Sequence, residues 1–500
     1  MTLSSRFPPP RPIRDVAALR EIEARHADVK PPLMERAGAA ALNEALNFLA
    51  PDGPPPLIVC GPGNNGGDGF VLARLLRERG FAPVTVFTGK AHTLPADARA
   101  AHDRYRAGGG AILADIPSVG NQYALAVDAL FGIGLRRLPE TIYAKLIDRI
   151  NGIGCPVLAL DIPSGLDADT GRVFSPAVRA DATVTFLALK PGLLTLEGPD
   201  HCGVISVQDL GIDGAEPPAR GQTITPALFA AHLKRRPLNS HKGMTGSVGI
   251  LGGDAGMTGA ALLAARAALK MGAGRVYLGL LDEAAPAVDA VQPELMLRQP
   301  DDILSADLAT ALAIGPGLGR SARALALLRQ TAATALPLLL DADALNLIAE
   351  HPALAKQIRR RSAPTLITPH PLEAARLLGS DAATVQADRV RAALALAEKL
   401  NAVAILKGCG SVIAMPDERW FINGSGNPGM ASAGMGDVLS GIATALLAQG
   451  WAAEAAALCA VHLHGLAADL LAGGGNGPLG LTASETIDAA RRIFNIWHQP

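Results

Sequence analysis

Short apolar runs that stop at glycine or aspartate and lead at once into helical patterns recur along this chain, and no other feature narrows its fold as much. Leu57-Ile58-Val59-Cys60 runs into Gly61-Pro62-Gly63-Asn64-Asn65-Gly66-Gly67-Asp68-Gly69 and a helical stretch from Phe70. Ala124 to Leu130 enters Phe131-Gly132-Ile133-Gly134, and Val157 to Leu160 stops at Asp161-Ile162-Pro163-Ser164-Gly165. In the second half, Ser247 to Leu251, Leu338 to Leu340, Thr365 to Ile367 and Ala402 to Leu406 end in the same manner. Runs this short that are apolar throughout, rather than at alternate positions, are strands buried on both faces. Helices between them produce parallel α/β sheets. The composition agrees, with 49% hydrophobic and only 18% charged residues, rich in the Ala and Leu that helices use to cover a sheet.

Five hundred residues exceed one ordinary core. Between Leu210 and Pro226 periodicity is lost among Gly211, Gly214, Pro217, Pro218 and Gly221, which sets two domains at 1–222 and 223–500. A net charge of −1 gives no electrostatic reason to expect nucleic acid or an anionic membrane as partner. The apolar stretch from Val438 to Ala472 is interrupted by Gln449, Glu454, His462, His464 and Asp469 and reads as buried helices. Five scattered cysteines without a Cys-x-x-Cys pair argue against a disulfide framework and a zinc site, and fit a cytoplasmic protein. The first fourteen residues, with three arginines, several prolines and no acid, read as a short leader without fixed structure.

Two loops carry the chemistry. Gly424 to Leu447 packs glycines before and around Met435, then turns helical from about Gly436. The unpaired N–H groups of that helix start, with Gly434 and Gly436 bare, form an anion site. Asp437 beside it either merely caps the helix or serves as the base that deprotonates a hydroxyl attacking phosphorus, and the surrounding glycine density favours the base. In the first half, Gly61, Gly63 and Gly66 satisfy G-x-G-x-x-G, but the next strand ends in Thr88-Gly89-Lys90, without the acid that holds a ribose in dinucleotide-binding folds. What that loop has instead is amides and a carboxylate, oxygen ligands suited to a hard cation and a polar molecule. In an open parallel sheet, Asp128 and Asp161 at the C-terminal ends of successive strands converge on the same crevice.

The Asn-Asn-Gly-Gly-Asp-Gly run resembles the signature of the NAD(P)H-hydrate epimerases. The Gly424 to Leu447 stretch resembles that of the ribokinase-like NAD(P)H-hydrate dehydratases. Together these resemblances cover nearly the whole chain and imply a Rossmann-like first domain, with helices on both faces of its sheet, and a ribokinase-like α/β second domain. They imply repair of hydrated NADH and NADPH: the first domain interconverts R and S epimers, and the second uses ADP to dehydrate the S form, giving AMP and phosphate. By resemblance, K⁺ is bound by Asn65, Asp128 and Ser164. The hydrated nucleotide is met by Asn64, Asn65, Gly66, Gly67, Asp68, Gly132, Ile133, Gly134, Leu135, Arg136, Arg137, Leu138, Tyr143 and Asp161, with Asp161 transferring a proton. In the dehydratase half the substrate would touch Ala260, Gly317, His370 and Asp437. ADP, with Mg²⁺, would lie on Lys407, Gly408, Cys409, Gly410, Ser411, Gly434 and Gly436. Met435 departs from the Ser or Thr usual there. A homo-oligomer, and neither nucleic acid nor membrane as partner, completes the expectation. The competing reading is a small-molecule kinase with an N-terminal sensing module, against which the Asn64 to Gly69 run counts.

Overall fold

The computed structural model describes residues 6–117, 122–212, 217–306 and 308–499. The chain forms two compact units, Arg11–Gly221 and Gln222–Pro500, the latter joined by the described residues of Met1–Pro10. Those first residues differ from the leader expected of them. The Phe7 ring packs on the core of the second unit, and the Arg6 guanidinium donates to the carbonyls of Gln499 and Ile496.

In the first unit seven strands form one sheet: β1 (Leu57–Cys60), β2 (Val84–Phe87), β3 (Ile112–Leu113), β4 (Ala126–Ala129), β5 (Val157–Leu160), β6 (Ala182–Phe186) and β7 (Val204–Gln208). Their order is β3-β2-β1-β4-β5-β6-β7, all parallel. The order reverses direction between β1 and β4, which opens a crevice at their C-terminal ends. β1, β4 and β5 are buried at every position, as unbroken apolar runs require.

The helix after β1 begins at Asn64, not Phe70, so the Asn-Asn-Gly-Gly-Asp-Gly run forms its first turns instead of a loop. Its glycines serve close approach. A methyl group on Gly66 would fall 2.0 Å from the Gly61 carbonyl oxygen, and one on Gly69 would fall 2.7 Å from Ala129 Cβ.

The second unit holds β8 (Ser247–Gly252), β9 (Arg275–Leu280), β10 (Met296–Arg298), β11 (Ala311–Ile314), β12 (Leu338–Leu340), β13 (Thr365–Ile367), β14 (Val403–Leu406), β15 (Val412–Ala414) and β16 (Trp420–Ile422). They lie in the order β16-β15-β14-β13-β12-β11-β8-β9-β10, parallel except for the β14-β15-β16 end. Helix Met435–Ala448 packs on helix Thr258–Lys270 so closely that a methyl group on Gly441 would reach within 2.1 Å of the Ala264 carbonyl oxygen. Ala453–Gly473 is long and apolar enough to cross a membrane by composition, yet 67% of its apolar window is buried within this unit, as expected of a core helix. None of the five cysteines is in a disulfide.

Candidate active sites

In the first unit five polar side chains, Asn65, Asp128, Asp161, Ser164 and Lys190, stand at or beyond the C-terminal ends of β1, β4, β5 and β6. Asp128, on β4 and fully buried, accepts from the Ser164 N–H (2.7 Å), the Ser164 hydroxyl (2.7 Å) and the Leu130 N–H (3.1 Å). Burial pushes its carboxyl up to about 6 against the pull of those hydrogen bonds. Asn65, in the first turn of its helix, is buried, and neither its amide nitrogen nor its oxygen has a hydrogen-bond partner among the described residues. A buried amide without a partner is costly, and a buried carboxylate favours a cation beside it. The oxygens of Asn65, Asp128 and Ser164 therefore suit a monovalent cation. Among the described residues no three His, Cys, Asp or Glu side chains gather into a ligand cluster, so the donors suit a weakly demanding ion rather than a transition metal.

Asp161 follows β5 with a φ of 66°, a left-handed conformation that Asp tolerates better than most residues. Its N–H donates to Val184 O (2.7 Å), and its carboxylate accepts from Lys190 Nζ at 2.5 Å. Lys190, 1% exposed, also donates to Thr185 Oγ1 (2.6 Å) and Phe186 O (2.9 Å). All three ammonium donors are thus fixed. Gly132 faces this pair: a methyl group there would stand 3.2 Å from Asp161 Oδ2 and 3.5 Å from Asn65 Cβ.

Asn64 is exposed, Gly66 and Gly67 are buried in packing, and Asp68 is partly buried, its carboxyl raised by burial and then by the charges of Asp161 and Glu23. Of the loop after β4, Ile133 is buried, Gly134 lies near the Arg20 guanidinium, and the Leu135 N–H closes a turn onto Gly132 O. Arg136 lies 3.8 Å from Asp169, while Arg137 and Leu138 are exposed. Tyr143 is buried beneath the loop, its ring edge-on to Phe131. In the sequence the Leu187 to Gly192 run matches the epimerase family with a structural role for Lys190 equally open, and Glu23 carries no signal. Lys190 is 29 residues from Asp161, and Glu23 sits on Val16–Arg25, a helix whose pattern signals only an amphipathic face.

In the second unit Gly434, at φ 89°, caps helix Met435–Ala448, and Asp437 lies in its first turn. Burial pushes Asp437 up to about 7, with the charges of Asp341 and Glu373 adding and Lys407 opposing. That value suits a general base working near neutrality. Lys407 Nζ would stand 3.1 Å from a methyl group on Gly436, so the ammonium reaches the helix N-terminus. Burial works against its charge, but Asp341, Glu373 and Asp437 together raise it above the ordinary lysine range. Met435 turns into the core, 6% exposed, which leaves the anion site to backbone N–H groups and Lys407.

His370 accepts the Leu372 N–H on Nδ1 (3.1 Å), which leaves its proton on Nε2, 3.3 Å from Glu373 Oε1. It is both the cap of helix Pro371–Leu378 and a polar edge toward Lys407. Ala260 is in the first turn of Thr258–Lys270, one turn before Leu263, which lies against Gly434. Gly317, at φ 57°, lies against Met257 at the start of the same helix.

The loop after β14 is built on Arg389. This residue is 1% exposed and donates to the carbonyls of Leu406, Lys407 and Gly410 and to Gln386 Oε1 (2.6 Å). Above it Gly408 is at φ 142°, Gly410 at φ 60°, Cys409 is exposed, and the Ser411 hydroxyl is engaged with Gly408 N and O. Sequence reasoning marks Asp341 as one of two acids closing a chemistry-bearing strand but not what it supports, and it misses Arg389, because a charged residue in a helical or strand-end pattern does not announce which distant loop it holds.

A family model described as NAD(P)H-hydrate dehydratase matches residues 248–489, and one described as YjeF-related protein N-terminus matches 30–192. Bifunctional NAD(P)H-hydrate repair enzymes are similar over almost the full length. That of Coxiella burnetii is 40% identical, covering 96% of this chain and 98% of its own, and that of Escherichia coli is 40% identical, covering 93% and 89%. An ADP/ATP-dependent NAD(P)H-hydrate dehydratase from Bacillus subtilis, crystallised with ATP and Mg²⁺, is 31% identical, covering 53% of this chain and 96% of its own at a TM-score of 0.48.

Proposed function

This chain belongs to the family of bifunctional NAD(P)H-hydrate repair enzymes, and we propose that each of its two units performs one step of the repair with the residues described above. The first unit carries the epimerase activity and the second the ADP-dependent dehydratase activity.

In the first unit, inverting the hydrated ring carbon requires its C–O bond to open and re-form on the other face. A proton is delivered to the oxygen in one direction and removed in the other. Asp161 is the group for that transfer: it faces the bare Gly132 backbone, and Lys190 fixes its carboxylate. Asn65, Asp128 and Ser164 would hold K⁺, whose positive charge would offset the buried carboxylate and orient polar oxygens of the substrate.

In the second unit the hydroxyl of the S epimer attacks the terminal phosphorus of ADP and gives its proton to Asp437. AMP departs, and the phosphate placed on the ring then leaves as the adjacent carbon loses a proton and the double bond re-forms. Hydroxide is a poor leaving group and phosphate a good one, which explains an anion hole in a dehydratase. Lys407 and the N–H groups after Gly434 receive the charge that develops on the transferred phosphoryl. Mg²⁺ would arrive on the nucleotide phosphates and water, since the described residues gather no cluster of three acidic, His or Cys ligands for it.

The single observation that carries this reading is Asp437, raised to about 7, at the same helix N-terminus that Lys407 reaches. The substrates are NADHX and NADPHX. The cytoplasm fits five cysteines without a disulfide, and a homo-oligomer is the assembly we favour, with no nucleic acid or membrane as partner. Incubating the full chain with mixed NADHX epimers, with and without ADP, tests the reading. Dihydronicotinamide absorbance should grow to completion with ADP, and no growth would overturn it.

A further inference from the structure

Asp341, at the C-terminal end of β12, is 1% exposed, and its two carboxylate oxygens are divided between two elements. Oδ1 accepts from Lys407 Nζ (3.0 Å) and the Ala342 N–H (2.9 Å); Oδ2 accepts from the Ser440 hydroxyl (2.7 Å). Ser440 is fully buried one turn beyond Gly436 on helix Met435–Ala448. A methyl group on Gly436 would stand 3.1 Å from Lys407 Nζ and 3.8 Å from Asp341 Oδ2. One carboxylate thus ties a long, flexible ammonium from the loop after β14 to the first turns of the helix that forms the anion hole. Lysine has four side-chain bonds to order before it can serve as a fixed charge, and electrostatic catalysis depends on charges fixed in advance.

We propose that Asp341 is a positioning residue for phosphoryl transfer, holding the Lys407 ammonium at the N-terminus of helix Met435–Ala448, where it meets the transferred phosphoryl group. Asp341 touches neither substrate nor phosphate in this role and acts through Lys407. The inference rests on the ADP-dependent reading above. It has a second consequence, because the charged groups acting on Asp437 from the packed strands and helices are Asp341, Lys407 and Glu373. Neutralising Asp341 removes a negative neighbour and releases Lys407 to approach Asp437. Both changes favour the ionised base, so the acidic limb of activity moves to lower pH.

The test uses the full chain, S-NADHX and Mg-ADP. Asp341→Asn should raise KM for ADP about tenfold or more and lower the midpoint of the acidic limb of kcat/KM by about one pH unit, with epimerase activity unchanged. A merely structural residue would not move that midpoint. In a Lys407→Gln background, Asp341→Asn should add less than about twofold to KM, since the ammonium it positions is gone. An unmoved acidic limb, or a full tenfold further rise in the Lys407→Gln background, would overturn the proposal. Should Asp341→Asn fail to fold, Lys407→Gln alone decides: a tenfold rise in KM for ADP supports the proposal, and an unchanged KM refutes it. A wild-type chain inactive with ADP would instead refute the functional reading on which the proposal rests.

Discussion

Replacing Asp437 by Asn separates catalysis from folding in a single variant. The change keeps size and removes the base, so ADP-dependent dehydration should fall by about 10²-fold or more, the usual contribution of general base catalysis, while epimerisation continues. Stability should move in the opposite direction. Asp437 ionises at about 7 in the folded chain, above its ordinary carboxylate value in the unfolded one. Between those values the folded state binds more protons, so stability is lost as pH rises from about 4 to about 7 and stays low above it. Holding a carboxyl neutral from about pH 4 up to about pH 7 corresponds to about 4 kcal/mol at full strength, and partial solvent access reduces that to about 2 kcal/mol. Asn carries no such cost. Thermal unfolding at pH 8 should therefore place the second unit about 5 °C higher in the variant than in the wild type, a gain that disappears near pH 4.5. A variant that keeps near-normal dehydration would remove Asp437 from the mechanism. One that is inactive yet gains nothing over the wild type at pH 8 would show that the carboxyl is not raised.

Replacing K⁺ by a large organic cation, or making Asp128→Ala, should weaken binding of hydrated nucleotide to the first unit by about tenfold or more, measured by calorimetry, and leave the ADP-dependent step unchanged. Unchanged affinity would remove the cation from Asn65, Asp128 and Ser164. Arg389→Leu strands the carbonyls of Leu406, Lys407 and Gly410, so it should cost about 2–4 kcal/mol and raise KM for ADP, read by thermal unfolding and initial rates. Pieces cut near Thr223 should each fold, since the epimerase residues end at Lys190 and the dehydratase residues all follow the cut. The second piece should also be more stable when residues 1–10 are supplied, because Phe7 packs on its core; circular dichroism of the two pieces decides this.

The sequence is most legible where chemistry and local pattern coincide. Asp128, Asp161 and Asp437 stand at strand ends or a helix start, where an acid after an apolar run is conspicuous. The Asn64 to Gly69 run is legible as a binding motif but not as a helix, because glycine density signals a loop. Only the neighbouring Gly61 carbonyl and Ala129 methyl group show that these glycines serve packing. Lys190 is legible as part of a family-like run, but its pairing is not, until Asp161 is placed beside it. Asp341 needs partners 66 and 99 residues away, and nothing local in β12 names them. Arg389 is similar: its helix reads as an ordinary amphipathic one, and its carbonyl partners carry no side-chain signal at all.

The division of labour between the two units is tested most directly by the progress curve of an Asp161→Asn chain given equal amounts of R- and S-NADHX with excess ADP. The S epimer should disappear at the wild-type rate, and absorbance should then level off at about half the wild-type amplitude, rising afterwards only as fast as the R form epimerises spontaneously. Wild-type protein added at the plateau should complete the reaction. An Asp161→Asn chain that consumes both epimers at the wild-type rate would contradict the assignment of epimerisation to Asp161 and the crevice around it.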